Sequence, residues 1–276
     1  MKKKILKYLS LTFFSVLVIA CAKDVITGKN TINYYKLSQE PALGKEVLTG
    51  QVKAFQKDNV AVDSPKNKAE LETIKHIVRN ISRVSHIPSF PYEVHVADAP
   101  VVNAWCAPGG KIMVYEGLWD KEKGLVEKGN KDELAAVLAH EISHATARHV
   151  TESISRNMTI YAAGSLAQSA IGVGSAEGAD LFGRIFSEGF NVFVPSYSRK
   201  NESEADKLGL FYMAKAGYDP RAAVRLWERA AKKNKDQTSI YASHPASGER
   251  AAALKSYLPE AMKLYEKKIK EFGKPE

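Results

Sequence analysis

Cysteine is nearly absent from this chain. Cys21 and Cys106 are the only two in 276 residues, too few for a disulfide framework to hold a domain together. Acidic residues are missing from the first twenty positions, where Lys2, Lys3, Lys4 and Lys7 stand alone. Those lysines supply a good part of the formal net charge of +9; the rest is a mild excess with no basic block, so nucleic-acid binding is not expected. Beyond the N-terminus no apolar run is long enough to cross a bilayer, since the best of them, TIYAAGSLAQSAIGVGS, is short and broken by Ser, Gln and Gly. Internal repeats and low-complexity tracts are lacking too, which excludes stacked-repeat architectures. What is present is ordinary globular material, 45% hydrophobic and 26% charged, in a chain long enough to bury a real core.

The N-terminus has the order of a processing signal: a basic MKKKILKYLS, a short apolar LTFFSVLVIA and the small Ala20 before Cys21. A plain secretory signal or a single anchor would share most of that order. Val-Ile-Ala-Cys at 18–21 resembles the bacterial lipobox, in which the cysteine becomes the first mature residue and is acylated. The expected division is a lipoprotein signal peptide at 1–20, a lipidated tether and lead-in segment at 21–38 beginning at Cys21, and one domain at 39–276. At about 0.8 kcal/mol per buried methylene, several acyl chains would hold the protein firmly on a membrane. Cys106 is then left without an intramolecular partner, as a buried thiol or an intermolecular one.

Apolar spacing predicts helices over 40–56 and 68–85, with HIPSFP breaking the second. YEVHVAD, VVNAWCA and KIMVY are β-type runs, and the Pro-Gly-Gly between the last two predicts an antiparallel hairpin. From Lys131 the pattern is helical, with Asp132 able to cap its start, and runs with breaks to about Gly172. A second apolar segment ends at Pro195, a helix restarts near Ser198 and stops at Gly217, and another follows with Asp219 as cap and Pro220 in its first position. HPASGERAAALKSYL and PEAMKLYEKKIKEF predict two final helices. Helices, a small antiparallel sheet and then many helices define an α+β fold.

Within the helix after Lys131, His140-Glu141-Ile142-Ser143-His144 is an HExxH pattern. At about 100° per residue the two histidines lie one turn apart on one face, so both imidazoles can reach one ion. Glu141 lies beside that face, placed to address a water rather than the ion. A catalytic zinc site wants three protein ligands and an open position. The extended form HExxHxxGxxH fails, because Ala147 and Val150 stand where its glycine and last histidine belong. On a regular helix His149 would lie about 180° round and about 14 Å along from His140, so it reads as structural. Glu202 and Asp206, at i and i+4 on the restarted helix, are the better candidates. Glu202 could bind the ion and Asp206 could hold a ligating histidine by its other ring nitrogen. An exposed acidic helix start would look the same from sequence. Glu204, about 200° round from Glu202, faces away from it.

LAHEISHATARH, the upstream NAWCAPGGKIMVYEGLW and the downstream SYSRKNESEAD together resemble peptidase family M forty-eight, the HtpX-like and CaaX-prenyl-type zinc endopeptidases. DVITGKNTINYY is similar to its periplasmic lipoprotein branch. The resemblance implies a mostly helical gluzincin-type fold whose small antiparallel sheet lines the active-site cleft with an edge strand. It implies one zinc ion per chain on His140, His144 and Glu202, with Glu141 as general base and Asp206 behind a ligand. Along the edge strand, Asn103, Ala107, Gly109 and Gly110 are the candidate substrate-binding residues, although an ordinary edge hairpin would read alike. His244 resembles a His-Pro element late in the family's core; it is a candidate oxyanion donor or a loop histidine held by Pro245. Tyr241, Tyr197, Arg199 and Arg250 are weaker candidates, and the apolar segment over 159–193 could cover the cleft. The chain lacks the several transmembrane helices of the HtpX and prenyl-protease branches, so prenylated substrates are not expected. The expected function is a membrane-anchored endopeptidase acting on unfolded or misassembled envelope proteins, at the periplasmic face of the bacterial outer membrane. The alternative is a chaperone-like envelope lipoprotein that keeps the fold and binds clients without cleaving them.

Overall fold

The computed structural model describes residues 21–28, 30–170, 197–233 and 248–275. The segment at 1–20, His244 and Tyr241 lie outside the described residues, and the cover expected over 159–193 lies outside them beyond Ala170. In the lead-in segment β1 (Cys21–Lys23) pairs antiparallel with β2 (Asn30–Ile32). Helices α1 (Glu40–Lys57) and α2 (Lys68–Val84) follow. In α2 the buried Leu71, Ile74, Ile77, Val78 and Ile81 recur at three- and four-residue spacing, which gives one apolar stripe to bury.

Strands β3 (Glu93–Ala97), β4 (Ala104–Ala107) and β5 (Lys111–Tyr115) form one sheet in the order β3-β5-β4. The predicted hairpin is there, since β4 and β5 are antiparallel. The whole sheet is mixed rather than antiparallel, because β3 pairs with β5 in parallel. The alternation of KIMVY shows which residues share a face but not which neighbour takes which edge, and β5 takes the centre. Val94, Val96, Ala104, Cys106, Ile112 and Val114 face the main core, and Ala97, Trp105, Ala107, Met113 and Tyr115 face a second cluster under α1.

The remaining described elements are α3 (Lys131–Thr146), α4 (His149–Ala170), α5 (Arg199–Ala216), α6 (Arg221–Lys233) and α7 (Gly248–Phe272). Helix α3 is buried on every side from Glu133 to Thr146, with α2, α5, α6 and β4 packed around it. Its cap is Asn130, whose side chain accepts from the Glu133 N–H at 3.1 Å. Asp132, expected there, accepts instead from the Asp219 N–H at 2.9 Å and so joins α3 to the start of α6. Ser198 caps α5 in a reciprocal pair with Asn201, and Gly217 ends that helix. The two helices expected at the C-terminus are one, with Pro259 inside α7. Proline removes one helical hydrogen bond. Buried Ala251, Leu254, Ala261 and Tyr265 on both sides of it belong to the core and keep the axis continuous. Among the described residues no helix is long and apolar enough to cross a membrane.

Candidate metal centre

Three helices build the site around α3. His140, Glu141 and His144 project from it, and all three are almost wholly buried. Helix α5 crosses α3 closely because Gly209 stands at the contact, where a Cβ would come within 3.0 Å of the His140 backbone nitrogen. That approach brings Glu202 and Asp206 onto the two histidines. His140 Nε2 and His144 Nε2 are 3.1 Å apart. Glu202 closes the triangle, its carboxylate oxygens 3.4 Å from His140 Nε2 and 3.3 Å from His144 Nε2.

These edges test whether the residues fit a metal. With zinc–ligand bonds of ~2.1 Å, the ligand atoms of a tetrahedral site lie roughly 3.4 Å apart. The imidazole nitrogens are 3.1 Å apart and each has one Glu202 oxygen near that spacing, Oε2 at 3.4 Å from His140 and Oε1 at 3.3 Å from His144. His140, His144 and Glu202 are also the only cluster among the described residues whose ligand atoms converge in this way. The charges agree. Among the described residues, the buried carboxyl groups Glu141, Glu202 and Asp206 surround the two histidines and the buried Arg250. Buried charge must be compensated, and a divalent cation compensates it. The donor set suits zinc.

Around the triangle the supports are specific. Asp206 Oδ1 lies 3.0 Å from His140 Nδ1, the arrangement that fixes a ligating imidazole. Arg250 Nε and Nη2 donate to both Asp206 oxygens at 2.7 and 2.6 Å, and Nη1 lies 3.1 Å from Glu202 Oε2. The guanidinium stacks on Trp227, 3.7 Å from the ring centroid, and Trp227 in turn meets His140. Burial pushes the His140 pKa down, but Asp206 and Glu202 outweigh it and hold the group at about 9. Burial likewise opposes the charge on Asp206, and Arg250 with His140 brings its pKa below the usual value. His144 goes the other way, because burial outweighs its partner Glu202 and holds it well below an ordinary imidazole.

Several residues stand elsewhere than their sequence positions suggested. Arg250 is engaged by two carboxylates and a tryptophan, so it braces the ligands and is not placed as an oxyanion donor. Tyr197 stacks on His144 with centroids 3.7 Å apart, and burial with nearby Glu141 and Glu202 raises its pKa well above a free phenol. Arg199 is exposed at the start of α5. Gly109 and Gly110 both have positive φ in a turn over Pro108–Gly110. That turn is packed shut: a Cβ would come within 2.5 Å of Pro41 at Gly109 and of Tyr92 at Gly110. Both positions therefore admit only glycine, Gly109 against the start of α1 and Gly110 against Tyr92. Asn103 accepts from the Ala104 N–H through its own side chain at 2.9 Å, and Ala107 faces the cluster under α1. What β4 can offer a peptide is therefore main chain. Cys106 is free and buried, and burial with Glu141 nearby pushes its thiol pKa well up.

His149 does not face away. Helix α3 ends at Thr146, Arg148 takes φ 59°, and α4 starts in a new direction. His149 Nδ1 then lies 3.0 Å from His144 Nδ1. No proline or glycine marks that break. Arg148 is held instead by contacts remote in sequence, donating to Glu40 Oε1 at 2.6 Å and to the Tyr35 carbonyl at 2.5 Å.

A buried two-histidine, one-glutamate triangle on an HExxH helix, beside a small mixed sheet, defines a metallopeptidase fold of the gluzincin type. The chain belongs to Peptidase family M48, whose model matches residues 68–258. It is 39% identical over 193 residues to the mitochondrial metalloendopeptidase OMA1 of Schizosaccharomyces pombe, covering 68% of this chain and 53% of that protein. It is 31% identical over 168 residues to the metalloprotease YcaL of Escherichia coli K12, covering 60% of this chain and 62% of that one. A third relative, the β-barrel assembly-enhancing protease of Escherichia coli O157:H7, is 28% identical over 179 residues, covering 61% of this chain and 35% of its own. The chain thus spans about half the length of the first curated relatives it matches.

Proposed function

We propose that this chain is a zinc-dependent endopeptidase that hydrolyses peptide bonds of unfolded or misassembled envelope proteins. The carrying observation is the triangle of His140 Nε2, His144 Nε2 and the Glu202 carboxylate, with edges of 3.1 to 3.4 Å, on a helix that also carries the buried Glu141. His140, His144 and Glu202 would hold the ion. Bound there, zinc would supply Lewis acidity, lowering the pKa of water toward ~7 and polarising a carbonyl. Glu141 takes the proton of the attacking water on its carboxylate and delivers it to the leaving amine. Asp206 holds His140 in place, and Arg250 fixes Asp206 and Glu202 together. No covalent intermediate is required. His244, outside the described residues, keeps its candidacy as an oxyanion donor. The main chain of β4, the outer strand beside α3, would take an extended peptide by strand addition, with Asn103 and Ala107 at its ends.

The envelope setting is the finer part of the proposal. Two Escherichia coli relatives support it, one named for enhancing β-barrel assembly; the OMA1 relatives are mitochondrial. The order of residues 1–21 supports an acylated Cys21 holding the domain at a membrane, with the outer membrane's periplasmic face as the proposed place.

The test compares wild type with Glu141→Gln for zinc content and for cleavage of casein. Zinc in both, with cleavage lost by more than about a hundredfold in the variant, is the expected result. Equal cleavage would remove the proposal, and equal absence of cleavage with client binding retained would favour the chaperone-like alternative. Anchoring is tested separately with labelled fatty acid, which wild type should incorporate and Cys21→Ala should not.

A further inference from the structure

We infer that His149 is the positioning residue of His144, and that Glu204 stands behind His149 as its charge partner. The inference rests on the metallopeptidase reading above and states how that site orients its second imidazole.

Hydrogen-bond accounting carries it. His140 has Asp206 at its Nδ1. At His144 an imidazole takes that position: its Nδ1 lies 3.0 Å from Nδ1 of His149. Two neutral imidazole nitrogens at that distance need one proton between them. If His144 offers its Nε2 lone pair to a metal, its own proton sits on Nδ1, so His144 donates and His149 accepts. His149 then carries its proton on Nε2. That atom is buried and lies 3.5 Å from Glu204 Oε2. The separation is long for a direct hydrogen bond, so Glu204 favours this tautomer by its charge. Each arrow in the chain from Glu204 through His149 to His144 follows from the one before, and only this order leaves Nε2 of His144 bare.

The fold spends structure on this contact. On a regular helix His149 would lie on the far side of α3. The left-handed turn at Arg148, pinned by Glu40 and the Tyr35 carbonyl, swings it back. Tyr197 then closes over both rings, stacked on His144 and tilted toward His149. Helix α5 thus serves both imidazoles from two faces: Asp206 reaches His140 directly, and Glu204 reaches His144 through His149.

The test uses the full chain with zinc. His149→Phe keeps a ring and removes the acceptor, and is expected to weaken zinc binding by about 10- to 100-fold. His149→Gln, with an amide oxygen to accept and an NH2 to face Glu204, should bind close to wild type. Glu204→Gln should fall between the two. Nitrogen-15 spectra of the zinc-loaded wild type should show Nδ1 of His144 protonated, Nδ1 of His149 bare and Nε2 of His149 protonated. That readout needs no variant to fold, and a purely packing role for His149 would not fix it. Wild-type affinity in His149→Phe, or a proton on Nδ1 of His149, overturns the inference and leaves the metallopeptidase reading standing. A wild type that takes up no zinc removes both.

Discussion

At the scale of single residues, the site works by giving each ligand a defined neighbour. His140 illustrates the balance. Desolvation alone would strip its proton, yet Asp206 and Glu202 hold the group at about 9 in the metal-free protein. A metal must displace that proton, so uptake depends on pH with a definite sign. Below about pH 9, zinc affinity should fall about tenfold for each pH unit as the proton competes. Asp206→Asn removes one of the two carboxylates responsible. It should flatten this dependence near neutrality while weakening zinc binding at high pH by about 10- to 100-fold, since His140 loses its orienting partner. Zinc titrations of both proteins from pH 6 to 9.5 measure it, and parallel slopes would show that Asp206 does not set the proton affinity of His140.

At the scale of elements, the junction between α3 and α4 decides the geometry. Arg148 sits in the left-handed region, which costs a non-glycine residue on the order of 1 kcal/mol, and its guanidinium supplies the compensation by pairing with buried Glu40. Burial raises the Glu40 pKa, and Arg148 and Thr151 pull it back only in part. Arg148→Ala leaves that carboxyl buried without its cation. At pH 7 the loss should be on the order of 3 kcal/mol of stability, with no change of strain at φ 59° because alanine is no freer there. A carboxyl whose folded pKa is raised binds more protons folded than unfolded, so its stability contribution is complete below the unfolded value and is lost as pH rises through the folded one. The difference in melting temperature between variant and wild type should therefore narrow as pH falls from 7 toward 4.5. A constant difference would mean that Glu40 is not the group exposed by the change. This junction also marks where the sequence stops being legible. The HExxH face, the pairing of Glu202 with Asp206, the capped start of α5 and the β4–β5 hairpin are local patterns, readable at spacings of two to four residues. The break at Arg148, the bracing by Arg250 and the parallel pairing of β3 with β5 depend on partners 108, 44 and about 18 positions away. No local period encodes them. Pro259 misleads for the same reason, since α5 and α6 hold α7 straight across it.

At the scale of the whole molecule, the candidate metal centre ties together elements that otherwise meet mainly through packing. His140 and His144 belong to α3 and Glu202 to α5, while Arg250 of α7 spans Glu202 and Asp206. An ion on that triangle binds the folded chain and has no comparable site in the unfolded one, because its ligands are 58 residues apart in sequence from His144 to Glu202. Binding free energy therefore becomes folding free energy. At free zinc about a thousandfold above the dissociation constant the stabilisation is about 4 kcal/mol. For a domain of this size, each kcal/mol moves the melting temperature by about 2–4 °C, so chelation should lower it by roughly ten degrees. The three carboxylates of the site separate in this measurement. Glu202→Gln removes a ligand and should melt near the chelated wild type whether or not zinc is present. Glu141→Gln removes only the base and should keep the full zinc-dependent shift while losing cleavage. Asp206→Asn, if it weakens binding about 10- to 100-fold, should lose about 1.4–2.7 kcal/mol of the zinc stabilisation and keep the rest of the shift, since its role is to orient His140. Calorimetric scans of the four proteins with zinc and with EDTA resolve these cases. If wild type melts at one temperature in both, or if Glu202→Gln retains the shift, the ion is not held by the triangle, and the assignment of Glu202 to it fails with the coupling between α3 and α5.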